Sequence, residues 1–305
     1  MQKRRLGTSD LFVSELGLGC MSLGLDSKKA ENILLAAFEL GINYFDTADL
    51  YDRGENEKII GSTFKHNRDQ VVVATKVGNR WSEQKDRWYW DPSKAYIKKE
   101  VKASLTRLNT DYIDLYQLHG GTIEDHIDET IEAFEELKAE GLIRYYGISS
   151  VRPNVIREYA SKAHIVSVMT QYNILDRRPE EEILPPMQQH DISVVTRGSL
   201  AKGLLSNKML EKASAITREK GYLDYSFSEL LGTLTKLKVH FDRPMSEIAL
   251  QFNLAQPAVA SVIVGASSVE QLRENSRAVH SRRLTDDDIN FIRSCTKENH
   301  FTEHR

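Results

Sequence analysis

Four side chains of complementary chemistry stand at or just beyond the ends of three short apolar runs: Asp46, Tyr51, Lys76 and His119. Asp46 closes the run 42–46, Lys76 closes 71–76 and His119 closes 112–119, while Tyr51 follows Asp46 closely enough for the next loop to fold it over the same place. A carboxylate, a phenol, an ammonium and an imidazole suit the reduction of a carbonyl. Hydride adds to the carbonyl carbon, and the oxygen must take a proton as negative charge builds on it. A phenol can serve as that acid, with an ordinary pKa of about 10. An ammonium beside it favours phenolate and is expected to lower that value towards working pH. Asp46 would hold Lys76 in place and offset the cost of burying its charge. Neutral His119 would donate a hydrogen bond to the developing oxyanion. Taken singly, each has a structural reading: a strand-end Asp capping a turn, a surface Lys with a buried stem, a hydrogen-bonded core His. Taken together, a buried Lys and Asp at one place are costly without a task.

What could bring these ends together is a parallel barrel, in which function collects at the C-terminal ends of the strands. Short runs at 16–20, 42–46, 71–76, 112–119, 143–149, 165–171, 192–197 and 261–265 have strand length, and most are rich in Val, Ile or Tyr, as expected of strands buried on both faces. Helical patterns separate them. In 30–40, Ile33, Leu34, Ala37 and Phe38 recur on one face before Gly41; in 128–140, Ile131, Phe134 and Leu137 do so before Gly141. Pro92-Ser93 and Arg152-Pro153 read as helix starts. The pattern predicts an α/β fold, a (β/α)8 TIM barrel, as one domain over 1–305. A small N-terminal β-hairpin, 3–6 with 11–13, precedes it, and extra helices and loops belong on its C-terminal face. The stretch 198–242 is too long for an ordinary connection and should hold a loop plus a helix.

The 305 residues carry 41 basic and 44 acidic side chains, a net charge of -3, which gives no reason to expect nucleic acid or an anionic membrane as partner. No apolar run approaches the roughly 20 residues that span a bilayer, and the basic start lacks the apolar stretch of a signal peptide. Cys20 and Cys295 make no metal-ligand spacing and read as two reduced thiols. The expectation is a cytoplasmic protein without a metal.

At this point the chain resembles the aldo-keto reductase family over essentially its whole length, including its Bacillus-type oxidoreductases. Asn43-Tyr44-Phe45-Asp46-Thr47-Ala48-Asp49-Leu50-Tyr51 matches the family's D-T-A-x-x-Y segment, and Gly54-Glu55-Asn56-Glu57 its G-x-x-E continuation. Ala74-Thr75-Lys76 matches the strand that carries the lysine. The stretch from Leu105 to His119 matches the L-x-x-L-x-x-D-Y-I-D-L signature, and Gly141-Leu142-Ile143-Arg144 leading to Gly147-Ile148-Ser149 also fits. The resemblance implies Asp46, Tyr51, Lys76 and His119 as a catalytic tetrad with Tyr51 the general acid, in an NADP(H)-dependent enzyme reducing aldehydes and ketones. The alternative is a nicotinamide-binding regulatory subunit with little turnover, like the β-subunits of potassium channels.

The family binds its cofactor without a Rossmann fingerprint, and Gly17-Leu18-Gly19-Cys20-Met21-Ser22-Leu23-Gly24 lacks the G-x-G-x-x-G spacing. The resemblance implies the nicotinamide carboxamide near Ser149 and Gln171, with Ser150 where relatives often have Asn. Arg197 stands where many relatives stack an aromatic on the nicotinamide; a planar guanidinium also lies flat on a ring, so stacking is expected of it, the alternative being an ion pair with a loop carboxylate. Gly198, Ser199, Leu200 and Lys202 fall in the pyrophosphate-covering loop. Gly265 and Ser267 open the helix bearing Gln271, Glu274 and Asn275, whose free N–H groups suit the 2′-phosphate. Glu274 and Asn275 fit adenine contacts. Relatives frequently place Lys or Arg in that pocket, and here the corresponding residues are neutral. NADPH is favoured, with NADH as the second cofactor.

All three tryptophans, Trp81, Trp88 and Trp90, fall in one stretch after Lys76. They read as an aromatic wall over a carbonyl substrate, or as anchors fixing that stretch to the barrel rim. The expected partner is a small carbonyl compound, and the expected assembly a monomer or weak homo-oligomer.

Overall fold

The eight runs form one closed parallel barrel in a computed structural model that describes residues 1–82 and 87–305. Its strands are β1 (Leu16–Gly19), β2 (Tyr44–Asp46), β3 (Val72–Val77), β4 (Ile113–Leu118), β5 (Ile143–Ser149), β6 (Ser167–Gln171), β7 (Ser193–Arg197) and β8 (Val259–Gly265). Each pairs in parallel with the one before it, and β8 closes on β1 through Val262↔Leu16 and Ile263↔Gly17. Around them run α1 (Ser27–Glu39), α2 (Glu55–Thr63), α3 (Lys94–Leu108), α4 (Ile127–Ala139), α5 (Pro153–Lys162), α6 (Pro179–Glu182), α7 (Leu184–Gln189), α8 (Ala215–Lys220), α9 (Phe227–His240), α10 (Met245–Leu254), α11 (Val269–His280) and α12 (Asp286–Cys295).

Strand periodicity divides the core in two. Side chains facing outwards from the strands pack beneath the helices, while Tyr44, Val72, Ala74, Leu115, Met169, Val195 and Ile263 fill the interior. The hairpin Lys3–Arg5 with Phe12–Ser14 closes the N-terminal end, adding Leu6, Leu11 and Val13 to that inner cluster. Its turn depends on Gly7, at φ +55°, where a Cβ would lie 2.3 Å from the Val166 carbonyl oxygen.

Two connections hold more than expected. The stretch 198–242 contains two helices, α8 and α9, the second opened by a capping box between Ser226 and Glu229. The tryptophan stretch is an antiparallel hairpin, Asn79–Trp81 with Trp88–Trp90, and residues 83–86 between its strands lie outside the described residues. Ser93 caps α3 through its hydroxyl, and Pro153 opens α5. Both cysteines are free. Among the described residues no helix is long and apolar enough to cross a membrane.

Candidate active site

The alternation that fills the interior with apolar residues continues upwards and changes chemistry at the last layer. Two residues beyond Tyr44, Ala74, Leu115, Met169, Val195 and Ile263 on the same faces come Asp46, Lys76, Gln117, Gln171, Arg197 and Gly265. A period of two thus turns both Lys76 and Asp46 inwards. The Lys76 ammonium donates to Asp46 Oδ1 at 2.6 Å and to the Thr47 carbonyl at 2.7 Å, with only 1% of its side chain exposed. Gln117 donates to Asp46 Oδ2 at 3.4 Å. Lys76 Nζ lies 5.2 Å from the centre of the Tyr51 ring, and that ring meets the His119 imidazole edge-on at 6.0 Å. The structure brings all four candidate residues together.

Burial sets their protonation. It pushes the Asp46 carboxyl up, and the ammonium at 2.6 Å pulls it back. Burial alone would lower Lys76, but Asp46 and Tyr51 outweigh it and hold the ammonium above its ordinary value. For Tyr51 the sequence expectation is corrected: burial lifts the phenol above 10, and Lys76 only partly opposes that. Tyr51 therefore holds its proton throughout the neutral range. His119 is driven down to about 3 by burial, then by Lys76 and Arg197, so its imidazole is neutral. Its Nδ1 is buried without a partner.

The turn after β2 carries Tyr51 over the mouth through three successive left-handed residues, Asp52, Arg53 and Gly54. Such backbone persists where neighbours over-determine it. Trp81 Nε1 donates to the Leu50 carbonyl, and the Arg53 guanidinium lies 4.6 Å over the Trp81 ring. From α2, Asn56 accepts from Thr47 Oγ1 and donates to the Cys20 carbonyl. Glu57 is fully buried against Arg107 at 2.6 Å, and Asp114 holds Arg68 and Arg144. Much of the motif pattern is therefore scaffolding for the four residues rather than chemistry.

On the opposite side, Gly198, Ser199, Leu200, Lys202, Gly265 and Gln271 line one cavity of about 260 Å³. Ser149 lies beside Met169 in the neighbouring strand. Arg197 donates to Gln171 Oε1 at 3.2 Å and forms no ion pair among the described residues. Ser199 is buried, its hydroxyl shared between Thr196 and Asn253, so it offers the cavity only its backbone. Ser267 donates through N–H and hydroxyl to Gln271 Oε1. Glu274 is exposed, and Asn275 is buried with its Nδ2 unpartnered.

The tryptophans separate. Trp90 is an anchor: its indole donates to Asp125 and its ring lies over Gly78 and Gly120, where a Cβ would come within 2.6 and 3.2 Å of it. Trp81 braces the Tyr51 turn, and Trp88 is half exposed. Sequence reasoning missed Gln117, although its place two residues after inward Leu115 marks it as a buried polar side chain beside the pair. It also missed Asp176, fully buried, which accepts from Gln171 Nε2 at 2.8 Å.

The family model for the Aldo/keto reductase family matches residues 15–297. The chain is 61% identical to "Uncharacterized oxidoreductase YqkF" of Bacillus subtilis, over the whole of both chains. It is 32% identical to "NADH-specific methylglyoxal reductase" of Escherichia coli, over 97% of this chain and 99% of that one. Among solved structures, the aldo-keto reductase AKR11C1 from Bacillus halodurans in its holo form superposes with a TM-score of 0.95 at 56% identity, covering 100% and 99% of the two chains.

Proposed function

The chain belongs to the aldo/keto reductase family of nicotinamide-dependent oxidoreductases, and we propose that it reduces bulky, largely apolar aldehydes and ketones to alcohols with NADPH, Tyr51 delivering the proton. The observation that carries this reading is the buried Lys76–Asp46 pair at 2.6 Å beside a protonated phenol. When bound, the nicotinamide supplies hydride to the carbonyl carbon.

The chain's own residues do the rest. Tyr51 gives its phenolic proton to the carbonyl oxygen as negative charge builds there, and Lys76 stabilises the resulting phenolate. Asp46 keeps the ammonium charged and in place, and a proton from solvent then restores the phenol. Neutral His119 has one N–H, which it donates to the developing oxyanion without adding a competing charge.

The cofactor fits the other half of the mouth. The cavity lined by Gly198 and Gly265 leaves room for close approach to backbone, and Asn275, one helical turn after lining Gln271, has a buried Nδ2 without a partner. Exposed Lys202 supplies a cation for phosphate, while Gln271 and Ser267 leave the helix N-terminus neutral. NADH is the second cofactor on this reading. Bulky substrates are favoured because Trp88 and Tyr89, both exposed, stand on the hairpin that follows the strand carrying Lys76.

The test is oxidation of NADPH and, separately, NADH with para-nitrobenzaldehyde and a panel of aromatic and small polar carbonyls, followed by loss of reduced-cofactor absorbance. Faster turnover with NADPH and with aromatic aldehydes is expected. Tight cofactor binding with no turnover across the panel would instead leave a nicotinamide-binding protein of the regulatory kind.

A further inference from the structure

Gln171 is held from behind by an ordered relay. Asn173 and Asp176 bond main chain to main chain in both directions, at 3.2 and 3.0 Å, and this tight turn places the Asp176 carboxylate in the interior. Arg178 grips that carboxylate with both prongs, Nε to Oδ1 at 2.7 Å and a terminal nitrogen to Oδ2 at 2.8 Å. The Arg178 guanidinium in turn lies 5.1 Å over the ring of Phe301, buried near the C-terminus. His300 and Arg305 fix the same tail to Glu181. On its other side, Asp176 Oδ2 accepts from Gln171 Nε2 at 2.8 Å.

A glutamine amide has two nearly isosteric orientations that present opposite polarity. A carboxylate only accepts, so Asp176 admits one of them: Nε2 inwards, Oε1 towards the mouth. There Oε1 takes the N–H of Arg197 at 3.2 Å. We infer that Asp176, clamped by Arg178 and the tail residue Phe301, is a positioning residue that makes Gln171 a hydrogen-bond acceptor at the mouth, and that it thereby selects a cofactor ring bearing a carboxamide N–H donor. This rests on the proposed contact between Gln171 and the nicotinamide.

Replacing the Asp176 carboxylate by an apolar side chain of similar size tests it. Asp176→Asn is not diagnostic, because Oδ2 serves both Arg178 and Gln171 and an amide oxygen there keeps both bonds. Asp176→Leu removes the acceptor altogether, so that nothing buried fixes Nε2 inwards and Gln171 turns either face of its amide to the mouth. Titration calorimetry compares the oxidised cofactor with its acetylpyridine analogue, whose ring substituent accepts but does not donate. The wild-type protein should prefer the carboxamide about tenfold, the worth of one good hydrogen bond, and Asp176→Leu should bring that preference down towards unity. A merely structural role weakens both ligands equally and leaves the ratio unchanged, which overturns the proposal. The wild-type arm stands even where the variant does not fold: equal affinity for the two ligands also overturns it. Binding of neither ligand by wild-type protein defeats the nicotinamide reading itself, and the positioning role falls with it.

Discussion

The two halves of the barrel mouth solve different problems with different materials. From β2 to β4, the chemistry stands on side chains withdrawn from water: Lys76 on Asp46 at 2.6 Å, Gln117 behind them, and a His119 imidazole held neutral. From β6 to β8, the candidate contacts are glycines, backbone, amides and one exposed arginine around an open cavity. Both halves use a turn of three successive left-handed residues, 52–54 and 201–203, each ending in glycine. The shared device aims a loop. The contrast lies in charge: proton transfer needs charged groups in a dry place, where each affects the next strongly, whereas holding a large polyanionic ligand needs many weak, reversible contacts.

The contrast breaks most sharply at Tyr51. Tyr51→Phe should lower kcat by roughly a hundredfold to ten-thousandfold, the usual range for a general acid, with cofactor affinity in calorimetry unchanged. Near-normal turnover would remove Tyr51 from the mechanism. Lys76→Met leaves Asp46 buried and unpaired, so denaturant unfolding should report a loss of about 3–5 kcal/mol, largely recovered when Asp46→Leu is added. A variant as stable as the parent would mean the pair is wetter than 1% exposure implies.

On the other half the effects should be smaller and confined to binding. Arg197→Ala is expected to weaken the reduced cofactor, whose nicotinamide ring is uncharged, by about threefold to thirtyfold, the range of a guanidinium over a π-face. Unchanged affinity and turnover would end the stacking role. Smallest is Gln271→Arg, which restores a cation to a neutral pocket. It should raise the preference for NADPH over NADH by roughly fivefold at low ionic strength and less at high salt. A preference indifferent to salt would locate the 2′-phosphate elsewhere.

The same contrast explains what was legible. All eight barrel strands follow from short apolar runs, because strands buried on both faces carry no polar interruption to hide them. The four reactive residues followed from their types at strand ends, since Lys, Asp and His are conspicuous beside Val and Ile. Trp90 was harder: a wall and an anchor look alike in sequence, and only the glycines facing it, Gly78 and Gly120, distinguish them. The direction of the Tyr51 shift was misjudged because an ammonium can be read from a motif, whereas the depth of burial that outweighs it cannot.

The sequence by itself determined the eight barrel strands and the convergence of Asp46, Lys76 and His119 at their ends, because apolar runs closed by conspicuous polar residues mark both. Which face of each strand turns inwards was decided by closure of the barrel. Tertiary structure alone decided which groups support them. Arg107 is fifty residues from Glu57, and Phe301 more than a hundred from Arg178. Such contacts depend on how the closed barrel folds loops and tail back over one end, and no local pattern encodes a distance across it.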